Sequence, residues 1–121
     1  MDMGLDTLRM YGRDESSCVS MTTFLTGVLG MNPLASNQGV RCLQPCRGPL
    51  IVVERATSLP PGVTVNPGAV ALGLGVREID SLWREWEWKG VTLLTDVMGL
   101  DYERAFFAHM PGGYLLRVHQ R

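Results

Sequence analysis

The chain repeats itself, and the repeat limits what it can fold into more than any other feature. Gly48-Pro49-Leu50-Ile51-Val52-Val53-Glu54 falls on Gly113-Tyr114-Leu115-Leu116-Arg117-Val118-His119 at an offset of 65. Arg13-Asp14 falls on Arg77-Glu78 at an offset of 64. Two separate anchors that agree within one residue describe an internal duplication of one supersecondary unit. The 121 residues then form a single domain of two modules, about 1–60 and 66–121. The linker, about 57–68, contains "SLPPGVTVNPG", a loop by its prolines and glycines.

Each copy has the same element order. In the first, Leu5 to Gly12 alternates as a strand does, with Leu8 and Met10 on one side and Thr7, Arg9 and Tyr11 on the other. Asp14, Ser16 and Ser17 supply N-cap chemistry, and "VSMTTFLTGVLGM" places Val19, Phe24, Val28 and Leu29 along a helix stopped by Gly30. Short strands follow at Arg41 to Gln44 and Leu50 to Glu54, with room for another at Asn32 to Asn37. In the second copy Ala69 to Val76 reads as a strand and "REIDSLWREWEWKG" as a helix ended by Gly90. Val91 to Val97, Arg104 to Ala108 and Tyr114 to His119 read as strands, the last two flanking a Met110-Pro111-Gly112-Gly113 turn. Trp83 and Trp86, three apart, suit one buried helix stripe, and Trp88 points elsewhere.

Composition narrows the function classes. A hydrophobic content of 45% with 19% charged residues is a globular balance. A net charge of −1 argues against a nucleic-acid coat or a polybasic membrane anchor. No apolar run reaches the roughly 18 residues of a membrane span, and the opening residues do not read as a signal peptide, so a cytoplasmic location is expected. Cys18, Cys42 and Cys46 form no CxxC pair, and Pro45 argues against a metal-binding helix across the last two. Lys89 is the only lysine among eleven cations. The guanidinium of the others is the better group for paired hydrogen bonds to oxygen.

"GVREIDSLWREWEWKGVTLL" followed by "YERAFFAHMPGGYLLRVHQR" resembles the C-terminal half of the vicinal oxygen chelate superfamily, the group of glyoxalase I, bleomycin-resistance proteins and extradiol dioxygenases. The opening "LDTLRMYGRDESS" with "FLTGVLGM" resembles its first strand and helix. The resemblance implies an α+β fold in which two βαβββ modules form a curled mixed sheet around a cavity, helices on the outer face. Many such enzymes hold a divalent metal there with His, Glu or Gln from the first and last strands of each module. The corresponding positions here are Thr7, Val52, Ala71 and Arg117. A hydroxyl, an aliphatic side chain, a methyl group and a cation are not a carboxylate–imidazole cage. Neither a metal nor another cofactor is therefore expected, and metal-dependent catalysis is disfavoured.

The ligand face that the resemblance implies carries Thr7, Arg9 and Tyr11, with Ala71, Gly73 and Gly75 as counterparts. The closing strands contribute Val52 with Glu54, and Arg117 with His119. Arg41 and Arg104 are expected to join the arginines, and Phe106, with Tyr114 or Phe107, the aromatic wall. Such a cavity suits an anionic, oxygen-rich or aromatic small molecule, an antibiotic or a metabolite, held by a homodimer without nucleic acid or membrane. No Ser or Cys nucleophile stands beside His119. The competing readings are a metal-independent isomerase, cyclase or lyase using Arg117 and His119, and a non-catalytic structural or regulatory subunit with a filled core, in which Arg117 is closed against Glu54.

Overall fold

The computed structural model describes residues 3–37, 39–66, 68–100 and 103–121. The chain divides into two compact units, Asp6–Val70 and Ala71–Arg121, the second including residues up to Leu5. The first module runs β1 (Met3–Gly12), α1 (Glu15–Gly27), β2 (Asn32–Asn37), β3 (Val40–Gln44) and β4 (Leu50–Arg55). Its strands lie in the order β2-β3-β4-β1, with β1 parallel to β4 and the other pairs antiparallel. The second runs β5 (Val70–Val76), α2 (Ile79–Trp88), β6 (Thr92–Leu93), β7 (Met98–Leu100), β8 (Glu103–Met110) and β9 (Tyr114–Gln120). Here the order is β5-β9-β8-β6, β7 also pairs with β8, and β5 is parallel to β9.

The duplication holds at the level of single residues. Arg9 lies opposite Val52 and Tyr11 opposite Glu54, while Gly73 lies opposite Arg117 and Gly75 opposite His119. First strands correspond at an offset of 64 and last strands at 65, the offsets read from the sequence. Because side chains alternate across a strand, this register decides which residues share a face.

Each helix covers one face of its own module's strands. In the first module Cys18 and Leu25 of α1 pack on Leu43, Ile51 and Val53, joined by Leu8, Met10 and Met21. The helix starts where its N-cap chemistry places it: the Asp14 carboxylate accepts from the Ser17 amide at 2.8 Å. That hydrogen bond holds the Asp14 carboxyl below the usual aspartate range. The buried stripe is a correction, however. Val19, Phe24, Val28 and Leu29 are all exposed, and the helix buries Cys18 and Leu25, with Met21 half-buried between them. Cys18, Met21 and Leu25 carry the contact, a stripe offset from the one that Val19 and Phe24 suggested.

Gly12 explains why that contact is close. A Cβ added there would lie 2.6 Å from Cys18 Sγ and 3.3 Å from the Cys18 backbone nitrogen. Cys18 is fully buried and has nowhere to turn. Gly12→Ala is expected to lower stability by about 1–3 kcal/mol in urea unfolding, the usual cost of overpacking. Gly27→Ala, where nothing lies within 4 Å, should leave stability unchanged or raise it.

In the second module Val76, Ile79, Leu82, Phe106, Ala108, Leu116 and Val118 form the core, with Trp83 and Trp86 packed against it. Trp86 meets Phe106 edge to face, centroids 5.6 Å apart. Trp88 is 86% exposed. The continuous strand expected at Val91 to Val97 is interrupted after Leu93. Thr95 causes the break: its hydroxyl accepts from the Phe107 amide at 3.1 Å, and its carbonyl accepts from Trp83 Nε1 at 2.9 Å. A side chain thus occupies one rung of the ladder. The hairpin turns through Gly112 and Gly113, at φ of 91° and 79°, where other residues would be strained.

Candidate functional site

In each module the strand face opposite the helix is polar and buried at once. In the first module it carries Thr7, Arg9, Tyr11, Val52 and Glu54, each at most 9% exposed. Strand register lines up Cys42, Val52 and Arg9 in one row, with Tyr11 and Glu54 in the next. Arg9 Nη1 donates to Glu54 Oε1 at 2.9 Å. Glu54 Oε2 accepts from the Ser58 hydroxyl at 3.2 Å, offered by a 3-10 turn at Ala56–Ser58. Arg9 Nε is buried and has no hydrogen-bond partner among the described residues. Thr7 Oγ1 donates to Asp6 Oδ1 at 3.3 Å. Burial pushes the Cys42 thiol up; Arg9 opposes the rise and Glu54 adds to it.

The second module repeats the plan with other residues. Arg117 is 2% exposed, and its Nη1 donates to Glu103 Oε1 at 2.6 Å. Phe107 lies opposite Arg117 on β8, and Gly73 opposite it on β5. His119 is buried between Ala105 and Gly75. The two neighbours on β5 are glycines, so no side chain from that strand crowds Arg117 or His119. Glu103 escaped the sequence reading. Its signal was present, because Glu103 stands two and four residues before Ala105 and Phe107 and so shares their face.

Three expected members stand elsewhere. Arg41 is opposite Val53, which puts it on the helix side, where it pairs with Glu15 of α1 and donates to the Gly39 carbonyl at 3.3 Å. Arg104 grips Asp80, in the first turn of α2, with two hydrogen bonds of 2.7 and 2.8 Å on the surface. Those bonds hold the Asp80 carboxyl below its usual range and raise the Arg104 guanidinium. Phe106 is opposite Val118 and belongs to the α2 core. One residue of parity separates each from the polar face. Tyr114, offered as a wall, is 63% exposed, whereas Phe107 is buried on the face of Arg117.

The donor chemistry does not fit a divalent metal held in the manner the resemblance implies. Of the four corresponding positions, Val52 and Ala71 have no donor, Arg117 is a cation tied to Glu103, and Thr7 offers one hydroxyl. Among the described residues no group of three or more His, Cys, Asp or Glu is placed to hold a metal ion. Nor is any described helix long and apolar enough to cross a membrane.

No protein-family model matches the sequence, and no curated protein matches it. Solved structures do. The chain is similar to one described as an NAD-dependent benzaldehyde dehydrogenase from Legionella pneumophila, with a TM-score of 0.74, 15% identity and coverage of 94% of this chain and 96% of that one. It is similar to a glyoxalase/bleomycin resistance protein/dioxygenase superfamily member from Vibrio splendidus 12B01, at 0.66, 19% identity and coverage of 95% and 97%. It is also similar to methylmalonyl-CoA epimerase from Mycobacterium tuberculosis, at 0.66, 20% identity and coverage of 97% and 87%. Identities this low carry a fold and leave the activity to the site. With two modules that each run from a strand through a helix into further strands, three in the first and four in the second, and these similarities over nearly its whole length, the chain has the fold of the glyoxalase/bleomycin resistance/dioxygenase superfamily, the vicinal oxygen chelate fold.

Proposed function

We propose that this protein binds and sequesters a small organic molecule, an antibiotic or a metabolite, without a catalytic metal. The observation that carries the reading is the Arg9–Glu54 pair, nine-tenths buried on the face away from the helix, with Arg9 Nε unpartnered among the described residues. Burying an ion pair costs desolvation that its own attraction barely offsets, so a chain selected only for stability would place apolar residues there. The second module supports the same reading through Arg117, Glu103 and the two glycines of β5.

A homodimer is the proposed working form. Its support is the apolar surface of α1 and the residues just after it, where Val19, Phe24, Val28 and Leu29 are about half exposed or more.

Native mass spectrometry of protein purified from its own host tests the function. The expected result is a small organic adduct of one per chain or one per dimer that survives dialysis against EDTA. After dialysis against zinc, nickel, manganese or iron, no stoichiometric metal should remain. Tight retention of one metal per site, with loss of the adduct on chelation, would sink the proposal.

A further inference from the structure

A cavity of about 250 Å³ opens on the helix side of the second module, away from the polar strand face. Asp80, Trp83 and Arg84 of α2 line it, with Asp96 and Val97 between β6 and β7, and Arg104 of β8. Two contacts hold its walls in place. Trp83 Nε1 donates to the Thr95 carbonyl at 2.9 Å, which ties the segment bearing Asp96 to the helix. Arg104 donates to both oxygens of Asp80, at 2.7 and 2.8 Å, so that pair enters the wall with its charges matched. Two lining charges remain. Arg84, one turn beyond Asp80, acts on it only through its field, since Arg104 already holds both oxygens. Neither Arg84 nor Asp96 forms an ion pair among the described residues. We infer that this cavity binds a small zwitterion, an α-amino acid with an apolar or aromatic side chain, its carboxylate on Arg84, its ammonium on Asp96 and its side chain against Trp83 and Val97.

Opposite charges that line one cavity without meeting are the complement of a molecule that carries both. The guanidinium fork of Arg84 offers paired donors to a carboxylate. The ionised carboxylate of Asp96 only accepts, and so selects a donor such as an ammonium group. Between them the half-buried Trp83 and Val97 present apolar surface to the ligand's body, and the indole face also attracts a cation. A carboxylic acid lacking the amine satisfies Arg84 and sets a like charge near Asp96, and an amine lacking the carboxylate does the reverse at Arg84. Size narrows the class further. Sites for drug-sized ligands begin at roughly 300 Å³, so this cavity suits a molecule no larger than a single amino acid. Arg84 and Asp96 are exposed, so water weakens each contact, and the expected affinity is millimolar.

Phenylalanine, phenethylamine and 3-phenylpropanoate share one aromatic body and differ in which charges they carry at pH 7. Titration of each into ¹⁵N-labelled protein, followed by the backbone amides of Arg84, Asp96 and Val97, provides affinity and position together. Phenylalanine is expected to shift those amides and to bind at least about fivefold more tightly than either analogue, the ratio that one exposed charge contact supplies. Asp96→Asn should lower phenylalanine to the level of 3-phenylpropanoate, and Arg84→Gln should lower it to that of phenethylamine. Both positions are exposed, where such substitutions leave folding intact. An analogue that binds wild type as tightly as phenylalanine would overturn the inference, as would affinities unmoved by either substitution. Phenylalanine that leaves the three amides unshifted up to about 10 mM, well beyond a millimolar Kd, would overturn it too. The host-adduct measurement decides the reading of the polar face separately, since none of these residues lies on it.

Discussion

Glu54→Leu is expected to destabilise the protein by about 3–5 kcal/mol, because it leaves the Arg9 guanidinium buried without its counter-charge. For a chain of this length that corresponds to a fall in Tm of roughly 10–20 °C. The double variant Arg9→Met/Glu54→Leu should recover most of the loss, since apolar residues of similar volume suit a buried position at least as well as an ion pair. The pair would then show strong non-additivity in a double-mutant cycle followed by urea unfolding. Additive single effects, each under about 1 kcal/mol, would mean that the pair behaves as an exposed one, and the functional argument built on its burial would fall with it. A recovered double variant that has lost the host adduct would separate the two roles of these residues, binding from folding.

Phe106→Ala carries the second large effect. The ring is fully buried, packs edge to face on Trp86, and sits among Ile79, Leu82, Leu116 and Val118. Truncation removes its burial and leaves a cavity that the surrounding strands cannot close, at a cost of about 3–5 kcal/mol. Binding in the folded fraction should be unchanged, because Phe106 belongs to the helix-bearing face. Trp88→Ala, at a residue 86% exposed, should move stability by no more than about 0.5 kcal/mol. A Phe106→Ala protein as stable as wild type would place that ring on the other face and restore it to the site.

The contrast between these two residues shows how far a strand sequence can be read. Alternation assigned Arg9, Tyr11, Glu54, Arg117 and His119 to one face, and strand register bears that out within each module. Phe106, Arg104 and Arg41 were offered to the site without an assignment of face, and strand pairing puts them on the other one. Parity within a strand is legible from sequence, but which parity faces the helix depends on the neighbouring strand. Phe106 opposite Val118 and Arg41 opposite Val53 are facts of pairing. The helix α1 failed for a related reason. Its Val19 and Phe24 are exposed, and Gly12 lets the small Cys18 side chain approach instead. A close backbone approach leaves no periodic signal.

The sequence by itself determined the architecture: a repeated strand–helix–strands unit, the Asp14 cap of its first helix, its glycine hairpin, and the absence of a carboxylate–imidazole set at the positions a related metal centre would use. These are local or periodic properties, written in residue spacing. Only the tertiary structure decided which acid neutralises which arginine. Arg9 pairs with Glu54 across 45 residues, Arg117 pairs with Glu103 across 14, and Arg41 and Arg104 are drawn off to Glu15 and Asp80 on the helices. Ion pairing depends on distances of a few ångströms between groups far apart in the chain, and no pattern along the chain encodes such a distance. The arginines that the sequence offered to a ligand are, in the folded chain, already matched by acids of the chain itself.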